Sequence, residues 1–202
     1  MNNIVKNTLA LFAITAVAGL LLGGVYEGTK QAREEQAVKT QQKAYQTVFV
    51  QASEFEDVSV KEAKDAVTYT EKEVIVEGAV KALDDSGNLL GYVVTVTAKE
   101  GYGGDIQFSV GVDTDRHVTG ISYLSIAETA GLGMKAKDSD FISQYIDGST
   151  GGEGEFVVNK DGGEGIRIDA ISGATITTRA VTKGVNAACQ LALELMDGGA
   201  EG

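Results

Sequence analysis

The sequence predicts an α+β fold, in which an antiparallel sheet is flanked by helices and preceded by an N-terminal transmembrane helix. Three observations predict it. The first segment is long and apolar, the middle alternates short β-branched runs with turn residues, and the last segment has apolar residues at helical spacing. Strands grouped together, with helices outside the group, are typical of this class. We assign residues 1–26 to an anchor, 27–72 to a helical linker and 73–202 to one folded domain.

The anchor is predicted from the stretch between Asn7 and Tyr26, which contains no charged residue. Roughly 20 residues, each rising about 1.5 Å, span the hydrocarbon core of a bilayer, which is about 30 Å thick. A cleaved signal peptide and a buried core helix are the alternatives, and the small residues at 16–18 resemble a cleavage site. Because the apolar run continues to Leu22, we favour an uncleaved helix that contacts the lipid bilayer.

The charges beside the anchor only weakly predict its orientation. Lys6 and the amino terminus lie on one side, while Lys30, Arg33 and Lys39 lie on the other. By the positive-inside rule, this count leans slightly toward an internal C-terminal side.

The elements after the anchor follow in order. Residues 27–56 are rich in Glu, Lys, Gln and Ala, which predicts a helix that leaves the membrane, and 57–72 form a connection. Strands are predicted at 74–76, 89–98, 106–112, 118–124, 156–158 and 166–168, and the spacing of the third and fourth predicts a hairpin. The glycine-rich stretch 148–154 is predicted to be a mobile surface loop. The last helix is predicted from Thr177 onward, with an apolar face formed by Val181, Val185, Ala188, Ala192 and Leu195.

Composition excludes several classes of function. The formal net charge is −12 and the pI is about 4.5, so the chain is not expected to bind nucleic acid. With one cysteine and one histidine, it cannot form a disulfide within the chain or a thiolate or histidine metal cluster. We therefore expect no metal site, and any redox chemistry must come from an organic cofactor.

The individual reactive residues are also predicted to be unremarkable. Cys189 lies among small apolar residues of the last helix and is predicted to be buried, and His117 lies in the predicted hairpin turn and is predicted to be solvated. Asp113 and Asp115 alternate in that turn, but no glutamate follows at the spacing of a calcium loop. No nucleophile, histidine and acid are arranged for hydrolysis, so we assign no catalytic residue.

One segment between a strand and the last helix has the residues of a phosphate site. Gly173 and Ala174 leave room for a close ligand, and the hydroxyls of Thr175, Thr177 and Thr178 lie where a helix begins. Free N–H groups and the positive end of the helix dipole favour phosphate at such a place. A simple N-cap has the same residues, and on composition alone the cap is the commoner explanation.

The segment from Asp169 to Thr175 also resembles a family motif. It reads Asp-x-x-Ser-Gly-Ala-Thr, which is similar to the flavinylation motif of the FMN-binding domain family. The resemblance implies that a flavin transferase splits FAD and joins the FMN phosphate to the Thr175 hydroxyl by a phosphodiester bond. Asp169 would be the motif acid that helps this reaction. Ser172, Gly173, Ala174, Thr177 and Thr178 would complete this part of the FMN site.

A second segment, 121–133, resembles the part of the same family that contacts the flavin. The residues that match its ETPGLG sequence are Glu128, Thr129, Gly131, Leu132 and Gly133. Ala130 replaces the usual proline, which removes the restriction on φ and adds an N–H group. Tyr102, in a glycine-rich stretch that also looks like the family, would pack on the isoalloxazine ring, although an ordinary surface or core tyrosine would look the same.

The resemblance covers about residues 85–195 and implies a function. The chain is similar to the membrane-anchored, single-domain members of the family, which are electron-carrier subunits of ion-translocating redox complexes. Its compact length and the segment 127–136 look more like the ferredoxin:NAD oxidoreductase complexes than the sodium-pumping NADH:quinone oxidoreductases. The expected partners are the other membrane subunits of such a complex and a flavin transferase.

The family also implies that the folded domain lies outside the cytoplasm, against the weak charge count. As part of a translocase, the chain would not be a stand-alone enzyme. The alternatives are an anchored extracytoplasmic sensor or binding module that holds FMN, and an autonomous flavin-dependent reductase, which the lack of a second cofactor or substrate domain disfavours.

Overall fold

A computed structural model describes residues 3–60, 67–148 and 154–198. It divides the chain into two compact units, one up to Gln41 and one from Gln42 onward. The second unit contains every strand found in the described residues and therefore positions the functional site.

The first unit is the exposed part of α1, which runs from Asn3 to Val48. Within the described residues, α1 is the one helix whose length and composition would let it cross a membrane, and its apolar window is not buried at all. Its large side chains are exposed, among them Leu9, Phe12, Ile14, Leu20 and Leu22. A core helix of a soluble protein would bury such residues, so that alternative is excluded.

The end of α1 differs from the prediction. The helix was predicted to continue to residue 56, but it ends at Val48, and Glu54–Val58 form the edge strand β1. Tyr45, Val48 and Phe49 are buried in a cluster with apolar residues of the sheet. This burial brings the end of the helix onto the sheet, and the following residues then pair with the neighbouring strand. The folded unit therefore includes part of the predicted linker.

The sheet has five strands in the order β1-β2-β3-β4-β5, and every neighbouring pair is antiparallel, as predicted. The remaining four strands are β2 (Val74–Leu83), β3 (Leu89–Ala98), β4 (Ile106–Asp113) and β5 (Val118–Ser125). In β3 the residues from Gly91 to Ala98 are buried, because both faces of this central strand are covered.

The face opposite the end of α1 is covered by α3, Thr175–Asp197. This helix begins two residues earlier than predicted, and the predicted apolar face is buried. Gly184 allows close contact with the sheet: a Cβ at this position would lie 2.5 Å from Cζ of Phe108. The small residue therefore sets how closely α3 approaches β4.

Three further elements complete the domain. Helix α2, Ser139–Gly148, was not predicted, although Phe141 and Tyr145 are buried in the main core. The predicted strands β6 (Phe156–Val158) and β7 (Ile166–Ile168) form a separate parallel pair. Of the predicted glycine-rich loop, Gly148 ends α2, and residues 149–153 lie outside the described residues.

Candidate functional site

The predicted phosphate segment connects β7 to α3. Ser172 and Gly173 form a turn, in which Gly173 has a φ of +77° and the Ala174 N–H donates to the Ile171 carbonyl at 2.9 Å. A left-handed φ of this kind favours glycine, because a Cβ would clash with the backbone. The turn places Thr175 at the first position of α3.

The start of α3 does not have the cap that composition alone favoured. Its N-cap residue is Ala174, and no side chain makes a capping hydrogen bond there. The Thr178 hydroxyl instead donates to the Ala174 carbonyl and accepts from the Ile171 N–H, within the buried base of the turn. A helix start without a side-chain cap keeps N–H donors and the positive end of its dipole for a ligand.

Glu128 joins three segments around this helix start. Its side chain is buried, and its two carboxylate oxygens accept from the Gly103 N–H at 3.1 Å and from the Thr177 hydroxyl at 3.0 Å. Gly133 passes close to the same carboxylate, since a Cβ there would lie 2.5 Å from Glu128 Oε2. The glycine turn before β4, the loop after β5 and the first turn of α3 are thus held together by one side chain.

These segments enclose a cavity of about 500 Å³. This volume falls within the roughly 300–1,000 Å³ that is typical of cofactor and small-molecule sites. Three apolar side chains at the cavity remain exposed, namely Tyr102 (71%), Leu132 (42%) and Ile176 (48%). Exposed apolar groups beside an uncapped helix start suit a ligand with a flat ring at one end and an anion at the other.

A lysine completes the lining. Lys160 lies in the turn after β6, and its Nζ donates to the Thr175 hydroxyl at 3.2 Å. Nothing in the sequence indicated this residue, because its approach to Thr175 depends on the parallel pairing of β6 with β7. Ile176 was also missed, because apolar residues are common in the first turn of a helix.

The structure brings together most of the predicted site residues. The cavity is lined by Tyr102, Glu128, Thr129, Leu132, Gly133, Gly173, Ala174, Thr175 and Thr177. Four others lie outside the lining. Gly131 has a φ of +76° in the loop after β5, and Ser172 is exposed in the turn before α3. Thr178 is buried beneath that turn. The Asp169 carboxylate accepts a hydrogen bond from Asn159.

The other singled-out residues lie away from the cavity. His117 is exposed in the β4–β5 turn, and Asp113 accepts from the backbone N–H groups of Asp115 and His117. The three side chains are close enough together to hold a metal ion, but this acidic turn already uses Asp113 to fix its backbone. Cys189 was predicted to be buried and is partly buried, packed against the main core, and desolvation raises the pKa of its thiol to about 12.

Replacing Glu128 with alanine is expected to lower the free energy of unfolding by about 2 kcal/mol, because the buried Thr177 hydroxyl and the more exposed Gly103 N–H both lose their acceptor. Urea unfolding measures this change. The matched control is Glu56→Ala, an exposed glutamate of β1, which is expected to cost less than about 0.5 kcal/mol. Equal losses in the two variants would show that the Glu128 bridge does not hold the site together.

Comparison with known proteins identifies a family for this fold and site. Residues 101–190 match the FMN-binding domain family. The chain is 34% identical to the G subunit of the Na⁺-translocating ferredoxin:NAD⁺ oxidoreductase complex of Acetobacterium woodii, over 92% of this chain and 90% of the relative. It is 32% identical to the G subunit of the ion-translocating oxidoreductase complex of Methanosarcina acetivorans, over 92% of each chain.

A third relative and a solved structure agree with this result. The G subunit of the proton-translocating ferredoxin:NAD⁺ oxidoreductase complex of Clostridium ljungdahlii is 31% identical, over 92% of this chain and 93% of the relative. The crystal structure of Shewanella oneidensis NqrC has a TM-score of 0.50 and 19% identity, over 76% of this chain and 88% of that one. At 19% identity, the likeness to NqrC shows a shared fold and nothing further.

Proposed function

This chain belongs to the family of G subunits of ion-translocating oxidoreductase complexes and contains an FMN-binding domain, and we propose that it carries FMN covalently on Thr175. The bound FMN passes single electrons between neighbouring membrane subunits of a ferredoxin:NAD oxidoreductase complex. One observation carries the proposal: the Thr175 hydroxyl lies at an uncapped helix start, in the lining of a cavity and beside a lysine.

Burial supports Thr175 over its neighbours as the acceptor. Thr175 is partly exposed, whereas Thr177 and Thr178 have no exposed surface. The Thr177 hydroxyl donates to Glu128, and the Thr178 hydroxyl donates to a backbone carbonyl. A transferase has to bring its substrate to the accepting oxygen, so a buried hydroxyl that already has a partner is the poorer acceptor.

The lining fits FMN along its length. Tyr102, Leu132 and Ile176 offer exposed apolar surface for the ring, and the start of α3 offers N–H groups for the phosphate. When bound, FMN supplies one-electron chemistry that no side chain of the site can provide. Glu128 keeps the three segments of the cavity together, and covalent attachment prevents loss of the cofactor from a domain outside the cytoplasm.

Attachment requires a flavin transferase and FAD. The Thr175 oxygen forms a bond to the phosphorus on the FMN side of the pyrophosphate, the P–O bond to the AMP half breaks, and the hydroxyl proton is released. The products are the phosphodiester-linked chain and AMP, so no oxidant or reductant is needed. Asp169, as the motif acid, contributes to this reaction.

The proposal for the cofactor is tested by co-expressing the full chain with a flavin transferase. A denaturing gel should show a fluorescent band, and the intact mass should rise by one FMN minus one water. If the band of denatured protein is not fluorescent, the covalent link is disproved. For the carrier function, the bound flavin should titrate reversibly and the chain should restore electron transfer in membranes that lack the native subunit. Flavin-loaded chain that fails to restore transfer would instead support a sensor or binding module.

The proposed location is the cell membrane, with α1 in the bilayer and the folded domain outside the cytoplasm. Ser86 lies exposed in the turn between β2 and β3, so the Ser86→Cys variant should react with a membrane-impermeant maleimide in intact spheroplasts. The unmodified chain is the control, because burial raises the pKa of its Cys189 thiol to about 12 and leaves almost no thiolate near neutral pH. Labelling only after permeabilisation would place the domain inside.

A further inference from the structure

We propose that Lys160 is the residue that binds the FMN phosphate, and that the motif acid Asp169 acts by holding Lys160 in position. This inference rests on the proposed attachment at Thr175. It assigns the cation of the site to a turn outside the flavinylation motif, and it gives Asp169 a positioning function within the folded chain.

The position of Lys160 supports this assignment. Its Nζ already hydrogen-bonds to the Thr175 hydroxyl oxygen, at 3.2 Å. A phosphate bonded to that oxygen would bring its other oxygens into reach of the same ammonium. Hydrogen bonds between an ammonium and a phosphate are charge-assisted and stronger than neutral ones. Together with the uncapped N–H groups of α3, Lys160 would complete an anion site.

Other cations are less suitable. Lys160 is the one cationic residue in the described lining of the cavity. Arg179, one turn into α3, is already bound to the Asp161 carboxylate. Within the described part of the chain, Lys160 itself makes no ion pair, so its charge is not already neutralised by a carboxylate.

Two contacts hold the turn that carries Lys160, one on each side of it. Asn159 donates its side-chain N–H to the Asp169 carboxylate, and Arg179 binds Asp161 through two nitrogen atoms. Lys160 therefore lies between two fixed neighbours. Without such contacts, ordering the backbone of the turn when phosphate binds would cost further conformational entropy.

Asp169 is itself fixed in place. Its backbone N–H donates to the side-chain oxygen of Gln144 at 2.7 Å, and its side chain is turned to Asn159. In the described structure the Asp169 side chain does not line the cavity. The connection to Thr175 therefore runs from Asp169 through Asn159 to Lys160, which makes Asp169 a positioning residue.

The test compares FMN with riboflavin, which differ only by the phosphate. The full-length Thr175→Val chain, purified in detergent, binds either flavin without forming a bond, and fluorescence titration measures both dissociation constants. We expect FMN to bind about tenfold more tightly, as one charge-assisted hydrogen bond provides. Adding Lys160→Met should remove most of this preference and leave the smaller part that the N–H groups of α3 provide, and Lys160→Arg should retain most of the preference.

The control is Lys137→Met, which removes the same charge from an exposed residue outside the lining and should keep the preference for FMN. Asp169→Ala should weaken the preference, and adding it to Lys160→Met should cause no further loss, because the two residues act in one chain of contacts. A merely structural defect would instead weaken the binding of FMN and of riboflavin by the same factor.

Two results would overturn the proposal. One is equal binding of FMN and riboflavin, or no measurable FMN binding, in the Thr175→Val chain. The other is a preference for FMN that Lys160→Met leaves undiminished. Failure of the attachment site itself would look different, since the preference for FMN would remain while the Thr175 chain stays non-fluorescent on a denaturing gel after transferase treatment.

Discussion

Thr175→Val is expected to abolish covalent flavin attachment completely, with no fluorescent band on a denaturing gel and no increase in mass after transferase treatment. Valine has nearly the shape of threonine but no hydroxyl, so no bond to phosphorus can form. The fold should survive, because Thr175 lies at the partly exposed start of α3 and not in the core. Circular dichroism checks that the helix content is unchanged.

The matched control for this change is Thr114→Val, which makes the same replacement in the exposed β4–β5 turn and should leave attachment intact. Fluorescence that persists in the Thr175→Val chain would contradict the assignment. It would move the acceptor to Thr177 or Thr178, whose hydroxyls would first have to leave their buried partners.

Phe108→Ala is expected to reduce the free energy of unfolding by about 3–5 kcal/mol, which is the usual cost of removing a large buried aromatic side chain. Phe108 has no exposed surface, and its ring lies 5.5 Å from the ring of Tyr123 and against Gly184 of α3. The cavity left behind lies where α3 packs on the sheet. Because a domain is stable by only about 5–15 kcal/mol, a loss of this size should unfold a larger fraction of the chain. Flavin attachment at the start of α3 should therefore also fall.

Urea unfolding of the full chain in detergent measures this loss. Leu89→Ala is the control in the same sheet, because Leu89 is 38% exposed and its truncation should cost less than about 1 kcal/mol. If Phe108→Ala costs no more than Leu89→Ala, contact between Phe108 and Gly184 does not determine how α3 packs on the sheet.

Local patterns were sufficient for several of the long elements of the fold, but not for β2, which runs from Val74 to Leu83 although only 74–76 was predicted as strand. The charge-free stretch of α1, the hairpin around 113–117 and the apolar face of α3 each repeat a signal over many residues, so each was predicted correctly. Helix α2 was missed because it is short. Its main buried side chains, Phe141 and Tyr145, are only one helical turn apart. The strand β1 was missed because it forms only by pairing with the edge of β2.

The sequence by itself determined the α+β class, the apolar helix and the two segments that meet in the site. Glu128 and Thr175 could be singled out because each lies in a short contiguous segment that resembles a family motif. Only the tertiary structure decided that α3 starts without a side-chain cap, that Glu128 bridges to Thr177, and that Lys160 contacts Thr175. The contacts of Glu128 and Lys160 join residues that are separated in sequence, through the packing of α3 and the parallel pairing of β6 with β7. No local pattern in the sequence encodes such pairings.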